Sequence, residues 1–179
     1  MSAGIEQLRY PIGRFQPPAE INMEQLTNWI DELAALPEKL REAVTGLSEQ
    51  QLDTAYRSEG WTLRQVVHHL ADSHMNAYIR FKLAITEDNP IIRPYNEAAW
   101  AECEEAKHAA VDVSLVLLEN LHKRLVLFLR SLKPADFERT YIHPEHNKTF
   151  ILKAVVGMYA WHGEHHLQHI LVSRKRFGW

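Results

Sequence analysis

A single cysteine, Cys103, excludes an internal disulfide and fits a reducing compartment. Positive charge is not in excess. Twenty Lys and Arg stand against twenty-three Asp and Glu, and a net charge of −3 excludes the basic footprint of a nucleic-acid binder. No stretch of about 20 apolar residues is available to span a bilayer. The opening MSAGIEQLRYPIGRFQPP lacks the apolar segment of a secretory signal. A cytoplasmic protein with no nucleic-acid or membrane partner is the expectation. Glycine is scarce, at seven residues, and none of it forms a phosphate-binding loop or a GxSxG elbow. No repeat, low-complexity tract or linker divides the 179 residues, so the sequence predicts one domain over 1–179, with residues 1–20 as an extended arm rich in proline.

What is present is helical periodicity. Asn22 is placed to cap a helix carrying Leu26, Trp29, Ile30, Leu33, Leu36, Leu40 and Val44. Pro37 is expected to kink or break it. One helical turn is expected around Ser48 to Leu52. Thr62 and Gln65 form a capping box for a second helix with Leu63, Val66, Val67, Leu70, His74, Tyr78, Phe81 and Ile85 on its core face. NEAAWAECEEA reads as a short amphipathic piece. A third long helix runs from Asp112 to Leu132, and a fourth from Phe150 to Arg174 with Thr149 as a candidate cap. Arg174, Lys175 and Arg176 read as cations at a helix C-terminus. Between the last two helices, TYIHPEHNKTF predicts a small hairpin. The fold class is all-α: an antiparallel four-helix bundle with an N-terminal arm.

Eleven histidines are many for this length, and WHGEHHLQHI holds four of them. Histidines four apart on a helix share a face and can bind one metal ion. Roughly 0.7 such pairs are expected by chance at this histidine content, so spacing alone decides nothing. Helical phase separates the candidates. His166 falls about 40° and His162 about 80° from the centre of the apolar stripe, whereas His169 and His165 fall about 100° and 140° away. The inward pair is His162 and His166, with Gly163 making room beside them, and Glu164 points to the far side. An ordinary hydrogen-bonded role in the core competes with metal binding for each of them. A third ligand would come from VVHHLADSH. Phase alone prefers His74, puts His69 on the flank and turns His68 away.

GWTLRQVVHHLADSHMNAYIRFKLAITEDNP together with YAWHGEHHLQHI resembles the DinB/YfiT-like four-helix proteins, YfiT branch. The similarity extends to LRYPIGRFQPP, LPEKLREAV and SLVLLENLHKR, nearly the whole chain. The resemblance implies a homodimer with one divalent metal per subunit. It implies three histidine ligands, one before the LAD of the second helix and two four apart on the last. In this sequence they are His69, His162 and His166. The motif thus selects His69 over His74, which becomes a pocket, supporting or core histidine.

Three neutral imidazoles suit Zn2+ first, and Ni2+, cobalt or iron as well. Three protein ligands leave a coordination position open, as in catalytic sites. Two activities match the labels this family carries. The first joins bacillithiol or a similar low-molecular-weight thiol to an electrophile, with the metal holding sulfur as thiolate. The alternative is a hydrolase using hydroxide on the same metal. A third reading is a non-catalytic, stress-associated metal-binding dimer. Asp72, one turn after His69, is a candidate to orient a ligand, although a solvated carboxylate is the simpler reading. No general base is identified. Cys103 lies among carboxylates and reads as inert. His143 and His146 read as exposed turn residues, and His108 and His122 stand alone. Trp61 and Trp161 adjoin the motifs and read first as core packing.

Overall fold

The computed structural model describes residues 3–179; the first two residues of the expected arm lie outside the described residues. The arm is not wholly extended. Helix α1 covers Ala3–Arg9, and only after it do Pro11, Pro17 and Pro18 keep the chain irregular. Helix α2 spans Met23–Val44, with the Asn22 side chain accepting the Gln25 N–H at 2.8 Å. Pro37 does not break it. A turn of helix, α3 (Glu49–Leu52), is closed by a capping box from Ser48 and Gln51. Helix α4, Leu63–Thr86, starts at the Thr62–Gln65 capping box that the sequence signals.

The short amphipathic piece resolves into α5 (Glu97–Ala101) and α6 (Glu104–His108), followed by α7 (Val111–Ser131). Strands β1 (Thr140–His143) and β2 (Lys148–Ile151) form the antiparallel hairpin, in the register Thr140 to Ile151 and His143 to Lys148. Its turn needs a left-handed residue, which Asn147 supplies at φ 45°. Thr149 and Phe150 therefore belong to β2, and α8 begins at Leu152 with no side-chain cap. It runs to Phe177, past the expected end at Arg174, and Gly178 closes it at φ 72°.

Helix α2 packs against α7 and α8, and so does α4, so α2 and α4 stand at opposite corners of the four-helix bundle. This order, rather than chain order, sets α4 directly beside α8. Two apolar clusters fill the interior. One gathers Trp29, Leu33, Phe81, Leu125, Val156 and Tyr159; the other gathers Leu36, Leu40, Val66, Leu70, Leu118 and Leu167. Imidazoles interrupt the apolar series between them: His74 between Leu70 and Ala77, His122 between Leu118 and Leu125, His162 and His166 between Ala160 and Leu167. A histidine layer thus divides the core. No helix among the described residues is long and apolar enough to cross a membrane.

Candidate metal centre

His69 lies near the start of α4, where Arg64 ties the helix to its surroundings. The buried guanidinium donates to Asp53 at 2.7 Å, to Glu49, and to the Ala109 carbonyl at 2.9 Å. His162 and His166 lie one turn apart on α8. Gly163 between them makes room not for the rings but for α2, because a Cβ there would stand 2.4 Å from Leu36 Cδ2. The bundle order then brings the three rings together. One donor nitrogen from each of His69, His162 and His166 lies within 4.8 Å of the others, a group that could hold a metal ion. The Nε2 atoms of His69 and His162 are 3.3 Å apart. Two nitrogens bound at about 2.0–2.1 Å to one tetrahedral ion stand at about that separation, so this pair fits a zinc-sized centre.

The electrostatics suit the same use. Burial, reinforced by the neighbouring histidines, pushes His69 down to about 4 and holds His162 and His166 well below the usual histidine range. All three are neutral at pH 7, the form that ligates. His69 and His166 are buried, while His162 keeps part of its surface in solvent. Trp61, half-buried, stands with its ring centre 4.6 Å from that of His69 and 6.4 Å from that of His166. It walls the cluster rather than merely filling core. The larger clefts lie elsewhere: a groove of about 550 Å³ between the arm, α2 and α8 is lined by Phe15, Trp29, Trp161 and Glu164 and includes none of the three histidines. Donor convergence, not cavity size, marks the centre.

Several sequence expectations need correction. Asp72 hydrogen-bonds none of the three rings; burial, with Glu105 adding to it, raises its carboxyl to about 6. His165, expected outside the stripe, and His169, expected at its edge, are both buried, because α1, the arm and the α3–α4 connection cover that side of α8. Tyr10 lies against His165, and Tyr56 stacks on His169 with ring centres 4.0 Å apart. Trp161 stacks on His165 at 4.7 Å, so it belongs to this cover. His165, His166 and His169 also form a close group of donors; there His169 Nδ1 lies 3.3 Å from His166 Nδ1 and its Nε2 3.2 Å from the Arg9 carbonyl, whereas the buried Nδ1 of His165 has no hydrogen-bond partner. His68 points away from the centre yet is buried, bonded to Ser114 Oγ at 2.7 Å and the Ala109 carbonyl at 3.2 Å. His143 is buried in β1, whereas His146 is exposed.

Two histidines take places that the sequence reading left open or missed. His74 is wholly buried and its Nε2 lies 3.2 Å from His162 Nδ1. His122, set aside as a lone histidine, is buried on α7 with Nε2 2.9 Å from His74 Nδ1. The signal existed: His122 falls four residues after Leu118 and three before Leu125, on the core stripe of α7.

Comparison with known proteins agrees with this architecture. Residues 32–170 match the family model described as the DinB superfamily. A protein of Bacillus mycoides (strain KBAB4), named a “putative metal-dependent hydrolase”, is 54% identical over 175 residues, covering 98% of this chain and all of its own. A Bacillus cereus (strain 03BB102) protein of the same name matches equally, at 54% over 175 residues. The solved structure of YfiT from Bacillus subtilis, described as “a probable metal-dependent hydrolase with an unusual four-helix bundle topology”, superposes with a TM-score of 0.95 at 48% identity, covering 97% of this chain and 99% of that one. With its four-helix order, its histidine layer and these relatives together, the chain belongs to the DinB superfamily.

Proposed function

We propose that this protein is a hydrolase working through one divalent metal ion held by His69, His162 and His166. The observation that carries the reading is the convergence of three neutral imidazoles, with two Nε2 atoms 3.3 Å apart. When bound, the metal supplies Lewis acidity and lowers the pKa of a water in the open position. The chain does the rest by placement. Three uncharged donors leave the metal its full double charge, which favours an anionic ligand in the remaining position. Trp61 presents an apolar wall beside His69 and His166 against which a substrate can lie. None of the three ligands is hydrogen-bonded to a carboxylate among the described residues; His162 and His166 are instead held by other histidines, His74 and His169.

Zinc is the first choice for the donor set, and nickel fits it as well. The relatives' names favour hydrolysis over the thiol S-transfer that leads in the sequence reading. The second reading keeps one support: a metal with only neutral protein donors also holds a thiolate, as conjugation of bacillithiol to an electrophile requires.

The test uses untagged protein. Elemental analysis should find about one divalent ion per chain in the wild type and far less in His69→Ala, His162→Ala and His166→Ala. Chromogenic esters and amides without thiol should be cleaved, and a chelator should stop it. Chelator-sensitive conjugation of a thiol to a chromogenic electrophile, without cleavage, would move the assignment to the transferase. Metal bound without either activity would favour the non-catalytic reading. Full metal content in His162→Ala would overturn the site.

A further inference from the structure

Pro37 lies inside α2, and a proline has no N–H for the carbonyl four residues earlier. That carbonyl belongs to Leu33, which is 1% exposed, and a buried carbonyl without a donor is costly. His122 supplies the donor: its Nδ1 lies 2.6 Å from the Leu33 oxygen. A carbonyl oxygen only accepts, so His122 must carry its proton on Nδ1. A neutral imidazole has one N–H, which leaves His122 Nε2 as an acceptor. That atom is 2.9 Å from His74 Nδ1, so His74 donates there and keeps its own Nε2 bare. His74 Nε2 is 3.2 Å from His162 Nδ1, so His162 donates in turn. The lone pair of His162 Nε2 is then left facing His69 Nε2, 3.3 Å away. Every direction in the series follows from one backbone oxygen.

We propose that His122 and His74 are positioning residues, and that the Leu33 carbonyl, freed by Pro37, fixes through them the tautomer and the ring orientation of His162. A second branch repeats the logic on α8. His169 Nε2 donates to the Arg9 carbonyl at 3.2 Å, its Nδ1 therefore accepts from His166 Nδ1 at 3.3 Å, and His166 Nε2 is left bare. Helix α1 is the cover that supplies this second carbonyl. The two ligands on α8 are thus held by imidazoles where many metal sites use carboxylates, and each branch ends on a main-chain oxygen that cannot reverse its role.

The consequence for metal binding rests on the assignment of His162 as a ligand; the tautomer order does not. The test therefore has two arms. In metal-free protein labelled with 15N-histidine, nitrogen NMR should find His122, His74 and His162 each protonated on Nδ1 and bare at Nε2. A proton on His162 Nε2 would overturn the proposal, whatever the metal does. In the second arm, Zn2+ affinity is measured by competition with a chelating dye. His122→Leu should release His162 from its single tautomer and weaken Zn2+ binding about 10–100-fold. His122→Gln, which keeps an acceptor for His74 and a donor for Leu33, should recover most of the loss. A folded His122→Leu with wild-type affinity and an unchanged His162 tautomer would refute the series. If instead His162→Ala binds Zn2+ as the wild type does, the ligand assignment fails while the tautomer result stands on its own.

Discussion

Gly157→Ala should destabilise the protein, although alanine is the better helix former. The residue lies in the interior of α8 against α2, and a Cβ there would meet three atoms of the Trp29 ring at 2.7–2.8 Å. Carbon atoms settle at about 3.5 Å or more, so the indole would have to retreat by about 0.8 Å. The indole is 8% exposed and packed within the cluster that includes Val156 and Tyr159, so it can retreat only towards the groove it lines. Overpacking of this kind costs about 1–3 kcal/mol, and alanine returns about 1 kcal/mol of helix propensity. The net expectation is a loss of about 1 kcal/mol, the middle of a range of about 0–2 kcal/mol. Gly163→Ala is the internal comparison. Its Cβ would stand 2.4 Å from Leu36 Cδ2, but the next atoms lie at 3.3 Å, so rotating one leucine relieves most of the clash. Its loss should be smaller. Urea unfolding at unchanged m-value measures both. A Gly157→Ala midpoint at or above the wild type would show that the α2–α8 approach is not limited by that backbone, and the packing argument would fall.

Acid should unfold the metal-free protein early. Burial pushes His122 and His165 down to about 4 and His169 to about 3, so the unfolded chain binds protons from about pH 6.5 while the folded chain refuses them. Stability should be whole above pH 6.5 and fall steadily as the pH drops from there towards 4; a flat profile across that window in circular dichroism melts would contradict the burial of these rings. Zn2+ at 100 times its Kd should add about 2.7 kcal/mol to unfolding, and His69→Ala should abolish the gain, as read by thermal shift with and without the ion. Thr62→Ala removes the side-chain acceptor at the start of α4 and should cost about 1 kcal/mol in denaturant titration. Arg64→Met removes the guanidinium from Asp53, Glu49 and the Ala109 carbonyl; a loss of about 2 kcal/mol is expected, and no change would mean that these bonds do not fix α4.

The helices were legible wherever a local signal was complete. Asn22 and the Thr62–Gln65 pair cap helices where they should, and the hairpin follows from the turn chemistry of PEHN. Phase was a poorer guide to burial. On α4 every residue from Leu63 to Ala71 is buried, because α5, α6 and α7 crowd a helix that the periodic pattern treats as covered on one side. The rule that preferred His74 to His69 therefore compared two inward positions at different depths. On α8 the same rule puts His169 at the edge and His165 outside, since it has no knowledge that the arm and Tyr56 come back over them. That His69 meets His162 depends on α4 lying beside α8, a fact of bundle order that no spacing within either helix encodes.

Pro37 shows how a local violation can be a long-range instruction. Read by itself, a proline in the middle of an apolar helical run argues for a break, and the helix passes through it nonetheless. Removing an N–H leaves an acceptor at Leu33 that α2 cannot satisfy, and the stripe of α7 presents one polar residue, His122, at the matching depth. A leucine at 122 would keep the periodicity and strand the carbonyl. The two departures from pattern, one on each of two facing helices, are thus complementary, each meaningless alone and satisfied only in the folded bundle. The same reasoning explains why the layer is built of histidine. A serine can satisfy a carbonyl, but an imidazole also passes a fixed donor-to-acceptor direction across its ring to the next imidazole, and three in series reach from α2 through α7 and α4 to α8.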